Sequence, residues 1–221
     1  MSSQEIVFWD VDDTLLRGQS QKLFIAFMKA KGFVSWWFYI KLSCWFVLYK
    51  LHFVHDPTKV AQYAFSFLKG MTRDELASLV DEFFKEVLVL KIYQDAVKLN
   101  LDHQKEGRAI YLVSNAFDTL IERIAQELGA RGYIATKLRD REGVLTGGID
   151  GTINYGVQKA EHLRIYCVNN QISLEHSWGY SDHVSDVPFL KLVRHPYFVN
   201  PKKGVADEVK KLGFGIVVFK K

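Results

Sequence analysis

Two carboxylates separated by a single residue stand directly after a short apolar run near the start of the chain. The run Ile6 to Trp9 is typical of a buried strand in a parallel sheet, and Asp10 and Asp12 follow it. Side chains two positions apart on an extended chain share a face, so both carboxylates can converge on one phosphorus atom. One can attack phosphorus while the other exchanges protons with the leaving oxygen and with water. Taken alone, the pair fits a turn or a helix cap equally well.

A second pair of acids, Asp182 and Asp186, follows another short apolar run at residues 178–180. Mg²⁺ prefers oxygen ligands and binds through one or two carboxylates together with waters and substrate phosphate. Two pairs of acids on neighbouring loops therefore predict a magnesium site. Asp186 by itself also fits the N-cap of a helix that begins near Pro188, and that role is compatible with supporting a metal.

Positive charge and hydrogen-bond donors for a phosphoryl group are available at Ser114 and Lys159. Ser114 ends a predicted second strand, Ala109 to Val113, just before a helix, where a hydroxyl and backbone N–H groups can hold an anion. A plain helix cap explains Ser114 as well, and a single lysine is usually a solvated surface residue. These two residues become candidates for phosphate binding only as members of the whole set.

The elements that must position these residues alternate between strand and helix. Further apolar runs at 178–180 and 197–199 predict strands, and the spacing of apolar residues from Phe117 to Leu128 predicts a helix that stops at Gly129. Residues 138–154 are rich in glycine and charge and predict a hairpin beside the main sheet. The alternation predicts an α/β fold with a doubly wound, Rossmann-like parallel sheet.

Residues 18–88 interrupt this alternation because their apolar spacing is helical throughout. The clearest helix follows a capping box formed by Thr72 and Glu75, while Pro57 and Gly70 separate the helices before it. We therefore expect an α/β core made of residues 1–17 and 89–221, with an all-helical cap inserted at 18–88.

An unusual concentration of aromatic residues occupies positions 33–54. Lys41 and Lys50 leave no apolar run near the roughly 18 residues that a membrane-spanning helix needs. One interpretation is a helix buried in the cap, since apolar stripes usually belong to the core. The other is an apolar entrance to the substrate site or a membrane-interface surface, which the mixture of Trp, Tyr and Lys favours.

Composition limits the compartment and the partners. The 29 basic and 25 acidic residues give a net charge of +4 without a Lys/Arg block, which disfavours nucleic acid as a partner. Cys44 and Cys167 have neither metal-ligand spacing nor a disulfide framework, as in proteins of a reducing compartment. No signal peptide is predicted at the N-terminus. We expect a cytoplasmic protein, with any membrane contact peripheral and made through residues 33–54.

The segments FWDVDDTLL, LVSN, the region of Lys159 and GYSDHVSDVPFL resemble the four ordered motifs of the haloacid dehalogenase-like superfamily. The helical insertion after the first motif is similar to the subgroup that contains phosphoserine phosphatases. The resemblance implies a phosphatase in which Asp10 is the nucleophile, forming an aspartyl-phosphate, and Asp12 is the acid and base. Dehalogenases and phosphonatases lack the second acid, so its presence favours a phosphate ester as substrate.

The same resemblance implies which residues bind the other participants. Mg²⁺ would be held by the Asp10 carboxylate, the Asp12 backbone carbonyl and Asp182, with Asp186 supporting the site directly or through water. The phosphoryl group would be held by Ser114, Asn115 and Lys159.

The substrate is less defined than the chemistry. Phosphoserine phosphatases typically carry a glutamate nine residues after the nucleophile and an arginine in the cap, but this chain has Gln19 at the first position and no arginine across residues 60–66. The aromatic cap and the Gly-Tyr-Ser-Asp form of the fourth motif are similar to bacterial phosphatidylglycerophosphatases of the C type. We expect an amphipathic or lipid phosphate, with a small soluble phosphate as the alternative. A phosphotransferase, or a catalytically silent binding module on the same fold, is also compatible with the sequence.

Overall fold

Seven strands form one sheet at the centre of the computed structural model, which describes residues 4–50 and 62–220. In chain order they are β1 (Ile6–Trp9), β2 (Ala109–Phe117), β3 (Gly132–Arg141), β4 (Val144–Asp150), β5 (Ser177–Ser181), β6 (His195–Val199) and β7 (Gly215–Val217). Their spatial order is β4, β3, β2, β1, β5, β6, β7. All neighbouring strands are parallel except β3 and β4. The doubly wound, Rossmann-like α/β class predicted from the sequence is confirmed.

Helices connect the strands and cover both faces of the sheet. They are α1 (Ser20–Ala30), α2 (Trp36–Lys50), α3 (Arg73–Phe83), α4 (Gln94–Lys105), α5 (Asp118–Glu127), α6 (Val157–Asn169), α7 (Val187–Leu190) and α8 (Lys203–Lys211). Shorter helical turns are Ser66–Leu68, Phe84–Leu88, Val89–Lys91 and Val184–Asp186.

Strand β1 is buried on both faces because helices pack on each side of it. Val7 and Trp9 point into one hydrophobic cluster, which includes α4, α5 and the helices of the insertion. Ile6 and Phe8 point into the opposite cluster, which includes α6, α7 and α8. An entirely apolar strand suits such a position, and its carboxyl end is where ligands bind in open α/β sheets.

The helical insertion packs on the sheet through phenylalanine rings. Phe24 of α1 lies 5.3 Å from Phe83 of α3 and 5.2 Å from Phe117 at the end of β2, between ring centroids. Phe65 lies 5.8 Å from the same Phe117 ring. No strand occurs between residues 20 and 91 in the described part of the chain, as predicted. The proposed boundaries of core and cap stay a prediction.

Helix α3 is fixed to the core near its beginning and near its end. Arg73 donates hydrogen bonds at 3.0 Å to Asp118 of α5 and at 2.9 Å to Asp140 of β3. Near the other end, Arg123 of α5 donates to Asp81 at 2.9 Å. The predicted capping box just before Arg73 is confirmed, since the Thr72 and Glu75 side chains each bind the other's backbone N–H.

The predicted hairpin is longer than expected and belongs to the main sheet. Strand β3 begins at Gly132, pairs in parallel with β2 through its first half, and pairs with β4 antiparallel through its second half. The predicted hairpin within residues 138–154 is confirmed, because β3 and β4 pair antiparallel from Leu138 to Ile149. The extension of β3 back to Gly132, which joins the hairpin to the main sheet, was not predicted.

The aromatic segment has a buried side and an exposed side. Phe38 stacks on Tyr63 with 5.2 Å between ring centroids, which fits the predicted helix packed in the cap. Phe33, Trp36 and Trp37 are 53%, 58% and 72% exposed, which fits the alternative of an accessible aromatic surface. The choice between a buried helix of the cap and a surface for substrate or membrane stays a prediction.

Residues 51–61 lie outside the described parts of the chain, and with them the end of the aromatic segment and Pro57, which was predicted to separate two helices. Among the described residues, no helix combines the length and apolar character needed to span a bilayer.

A buried histidine supports β5 from α4. His103 Nε2 lies 2.8 Å from the Tyr180 hydroxyl, and His103 Nδ1 lies 2.8 Å from Arg108 Nη1. Because an arginine can only donate, Nδ1 must accept and Nε2 carries the proton. Burial, with help from the Arg108 charge, lowers the pKa of His103 to about 4. Tyr180 in turn stacks on Trp9 at 4.0 Å, which joins this contact to β1.

We predict that the contribution of His103 to stability falls as the pH drops from about 6.5 to about 4. In that window the unfolded chain protonates this histidine, whereas the folded state keeps His103 neutral, so this residue favours unfolding in acid by up to about 3 kcal/mol. The change in unfolding free energy between pH 7 and pH 4.5, from urea unfolding, measures the effect. His103→Gln should shift that change towards greater stability in acid relative to the wild type, and the exposed His176→Gln should not. The same change in all three proteins would contradict the assignment.

Candidate active site

Asp10 stands at the carboxyl edge of the central strand with both carboxylate oxygens bound. Its backbone N–H donates to the Tyr180 carbonyl at 2.9 Å, which continues the β1–β5 pairing and fixes the residue in place. Thr14 Oγ1 donates to Asp10 Oδ2 at 3.0 Å, and Lys159 Nζ donates to Asp10 Oδ1 at 2.5 Å. The side chain is buried, so only a small part of one face remains open to a ligand.

Lys159 joins Asp10 to Asp186 at the start of helix α6. Its ammonium donates to Asp186 Oδ2 at 2.6 Å, and Ser181 Oγ donates to the same oxygen at 2.7 Å. Lys159 is buried, so it is not the solvated surface lysine that a single lysine usually represents. Asp186 does precede helix α7, but its carboxylate makes no cap hydrogen bond there and is used by Lys159 and Ser181 instead.

Burial and charge act in opposite directions on this ion pair. Burial raises the pKa of Asp10, and the Lys159 charge opposes that rise. Burial likewise lowers the pKa of Lys159, but the Asp10 and Asp186 carboxylates together hold it above its usual value. The lysine therefore stays protonated, and its charge favours an ionised Asp10 carboxylate in an environment that would otherwise neutralise it.

Asp12 lies two residues further along and has a different environment. The backbone N–H of Ser20, the first residue of α1, donates to Asp12 Oδ1 at 2.8 Å. Burial raises the pKa of Asp12 to about 6, with the Ser20 hydrogen bond acting against the rise. A carboxyl group with this pKa can both donate and accept a proton near neutral pH, as general acid–base catalysis requires.

The loop between β1 and α1 is closed by Asp13. This residue has a left-handed backbone, at φ 57°, and its carboxylate accepts from the Gly18 N–H at 3.0 Å. Its own N–H donates to the Gly18 carbonyl at 3.1 Å. The turn brings the chain back on itself, so that α1 starts beside Asp12.

Asp182 shares a hydroxyl group with Asp10. Thr14 Oγ1 lies 3.3 Å from Asp182 Oδ1, in addition to its contact with Asp10. Burial, together with the neighbouring charges of Asp13 and Asp186, raises the pKa of Asp182 to about 7. Several carboxylates thus lie close together at one edge of the sheet. Among the described residues, Lys159 is the cation that contacts two of them, Asp10 and Asp186. A bound divalent cation would reduce the remaining repulsion between the carboxylates.

The donor set suits a hard divalent cation such as Mg²⁺, because it consists of carboxylate oxygens. Across residues 4–50 and 62–220, no three His, Cys, Asp or Glu side chains form a ready-made metal cluster. Mg²⁺ does not need one, because it binds through one or two carboxylates and fills its remaining positions with water and substrate phosphate. Asp10 and Asp182, which both contact Thr14, are side chains that could hold it.

Ser114 and Asn115 lie on β2, next to β1 and at the same edge of the sheet. Trp9 pairs with Leu112, so these residues stand level with the loop that begins at Asp10. Ser114 was expected to end its strand, with a helix cap as the alternative interpretation of the residue, and the structure shows neither. Strand β2 continues to Phe117, and the Ser114 hydroxyl accepts from the Ala116 N–H at 3.1 Å within the strand.

The structure therefore brings most of the predicted site together. Direct contacts join Asp10, Lys159 and Asp186, while Thr14 lies between Asp10 and Asp182. No role had been predicted for Thr14 or Ser181, although both hydroxyls bind acids of the site. Their only signal in the sequence is a small hydroxyl residue close to each acidic pair.

A sequence model of the haloacid dehalogenase-like hydrolases matches residues 7–191. The chain belongs to this family. A phosphoserine phosphatase of Mycobacterium tuberculosis is 27% identical over 216 residues, which cover 96% of this chain and 70% of that protein. A histidinol-phosphatase of Neisseria meningitidis serogroup C is 28% identical over 158 residues, covering 69% of this chain and 71% of that protein. Family and relatives together identify the chain as a phosphatase.

Solved structures share the fold. A protein of unknown function from Bordetella pertussis Tohama I has a TM-score of 0.89 at 24% identity, covering 98% of this chain and 99% of that one. A phosphoserine phosphatase with an analogue of the phospho-aspartyl intermediate has a TM-score of 0.65 at 16% identity, covering 100% of this chain and 95% of that one. At these identities the likeness concerns the fold alone.

We predict that Lys159→Met destabilises the folded state by about 3 to 5 kcal/mol at pH 7, because it leaves buried carboxylates without their counter-charge. Urea unfolding measures the loss. The exposed Lys191→Met, which removes the same charge from the surface, should lie within about 0.5 kcal/mol of the wild type. If both variants unfold at the same urea concentration, the Lys159 charge does not stabilise the buried carboxylates as predicted.

Proposed function

We propose that this phosphatase hydrolyses phosphate monoesters in two steps, with Asp10 as nucleophile and Asp12 as acid and base. The observation that carries the proposal is the buried Asp10 carboxylate, held on one oxygen by Lys159 and on the other by Thr14 at the carboxyl end of the central strand. The two hydrogen bonds orient the carboxylate before the substrate arrives, which is how a positioned nucleophile gains rate.

In the first step a carboxylate oxygen of Asp10 bonds to phosphorus and the bond from phosphorus to the ester oxygen breaks. Asp12 gives its proton to that departing oxygen, and the product alcohol leaves. In the second step water attacks the aspartyl-phosphate, Asp12 takes a proton from the water, and inorganic phosphate and free Asp10 are regenerated. The pKa of about 6 places Asp12 where it can serve in both directions.

Lys159 has one N–H donor left for the phosphoryl group. Its ammonium carries three N–H donors, of which Asp10 and Asp186 use two. The third is available to a phosphoryl oxygen, and the buried positive charge favours the dianion. Ser114 and Asn115, on the adjacent strand, would supply further donors on the other side of the phosphoryl group.

Mg²⁺, held by Asp10, the Asp12 carbonyl and Asp182 with Asp186 in support, would neutralise phosphoryl oxygens that otherwise face several carboxylates. The crowding of these acids supports this part of the proposal, since their charges add to burial in raising the pKa values of Asp10 and Asp182.

An amphipathic phosphate is the substrate class that we favour. Gln19, which is exposed at the start of α1, offers no charge to a substrate ammonium, and the described residues 62–66 offer no arginine to a carboxylate. The exposed Phe33, Trp36 and Trp37 instead offer an apolar surface beside this helix. A small soluble phosphate is the second candidate, because the relatives include proteins named for phosphoserine and for histidinol phosphate.

The charge around the aromatic surface suits an anionic membrane. Residues 14–55 contain six Lys and Arg and no Asp or Glu, although acids and bases are nearly balanced in the whole chain. Lys29 Nζ lies 3.8 Å from the centroid of the Trp36 ring, so cation and aromatic group are presented together. Trp with Lys is the combination found where a protein rests on the surface of a bilayer.

Asp10→Asn should lower kcat at least about 10⁴-fold while leaving the far-UV circular dichroism and the melting temperature close to the wild type, since the change is isosteric. Phosphate release is measured with Mg²⁺ and with EDTA on phosphoserine, histidinol phosphate, a sugar phosphate, a nucleotide and phosphatidylglycerophosphate in detergent. The exposed Asp207→Asn on α8 is the matched control. Full activity of Asp10→Asn, or no release from any substrate by the wild type, would refute the proposal.

Sedimentation with vesicles tests the aromatic surface. We expect binding to vesicles containing anionic lipid, weaker binding in high salt, and a loss of about tenfold or more in Trp36→Ser/Trp37→Ser. Ile165→Ser/Val168→Ser, which removes exposed apolar residues from α6, is the control. Equal binding of both double variants would exclude this surface, and a preference for soluble phosphates without vesicle binding would favour the second substrate class.

A further inference from the structure

Strand β2 loses its regular pairing with β3 at the residues predicted to bind phosphate. Val113 pairs with Ile134 and Phe117 pairs with Thr136, so the three residues between them on β2 face a single residue, Ala135, on β3. The extra residues form an irregularity of the kind that redirects side chains near active sites. Residues 114–116 therefore depart from the regular register of the ladder.

Side chains bind the backbone of this irregular stretch. Asn154 Nδ2 donates to the Ser114 carbonyl at 2.6 Å, and Thr136 Oγ1 donates to the Asn115 carbonyl at 2.8 Å. The Ala116 N–H is taken by the Ser114 hydroxyl, which still has its own proton to donate. Both Asn154 and Thr136 are completely buried, and the Asn154 N–H donates to Thr136 Oγ1 at 3.1 Å, so the two act as one unit.

The same unit is joined to the helix that carries Lys159. His162, one turn after Lys159 on α6, places Nδ1 3.0 Å from Asn154 Oδ1. The second amide proton of Asn154 goes to the Ile134 carbonyl at 3.1 Å, so its nitrogen faces two acceptors and its oxygen must face His162. His162 Nδ1 therefore donates to Asn154 Oδ1. The side-chain oxygen of Asn154 and both protons of its amide nitrogen thus all have hydrogen-bond partners.

We propose that Asn154 and Thr136 are positioning residues that hold Ser114 and Asn115 at a set distance from Lys159. The inference rests on the proposed function, because it assumes that these three residues bind the phosphoryl group. Neither positioning residue touches the substrate. They act by keeping the irregular part of β2 in one conformation and by tying it, through His162, to α6.

Thr136→Val tests the inference with a nearly isosteric change that removes only the hydroxyl. We expect the KM for 4-nitrophenyl phosphate and the Kd for inorganic phosphate to rise about fivefold or more, the usual worth of one hydrogen bond. Thr146→Val is the matched control, since Thr146 Oγ1 donates to a carbonyl of the same strand β3, at Arg139, outside the irregular stretch. The control should leave both constants within about twofold of the wild type.

Hydrogen exchange separates positioning from mere stability. Thr136→Val and the milder Asn154→Ser should speed amide exchange at residues 114–117 while β5 stays protected. A lower melting temperature with unchanged KM, Kd and local exchange would overturn the inference. Faster exchange with unchanged phosphate affinity would also overturn it, because the irregular strand would then not govern binding. A wild type that hydrolyses no phosphate ester points instead to failure of the proposed function.

Discussion

Burial of several carboxylates against one lysine is the constraint on which the rest of the structure depends. A carboxylate taken out of water is stable in its ionised form only if a charge and hydrogen bonds replace the water. Lys159 provides the charge to Asp10, which is 149 positions away in the sequence, and to Asp186, which is 27 away. The start of α6 must therefore lie against the end of β1, and the doubly wound sheet achieves this because both elements meet at its carboxyl edge.

The two acids of the first loop, Asp10 and Asp12, lie in different electrostatic environments. Asp10 is buried and ion-paired, so the lysine favours its charged form, whereas Asp12 is bound by a neutral backbone N–H at the first turn of α1. Burial raises the pKa of Asp12 to about 6 against the effect of this hydrogen bond, and it also raises the pKa of Asp10, where the Lys159 charge opposes the rise. The left-handed residue Asp13 closes the loop between these acids and α1, so that the helix, which begins at Ser20, starts beside Asp12.

Much of the fold could be predicted from the sequence, since β1 and β5 are continuous apolar runs that end in acids, and Thr72 with Glu75 marks a helix start. The acids could be placed together because the ends of parallel strands meet. The course of β2 beyond Val113 could not be predicted, since it is held by Asn154 and Thr136, which lie 40 and 21 positions from the carbonyls that they bind. The burial of Lys159 depends likewise on partners that no local pattern reveals. The roles assigned to the site residues stay predictions.

The helices of the insertion are attached to the core very unequally. Helix α3 is held by two arginines and α1 by the Phe24 ring against Phe117, whereas the ring contacts described for α2 reach only α1 and residues 63–67. Among the described residues, no hydrogen bond or ring contact links α2 to an acid of the site. Substitutions on its exposed side can therefore accumulate without disturbing Asp10 or Lys159. The surface that this helix presents to a ligand or a membrane can change while the hydrogen bonds at the end of β1 stay in place.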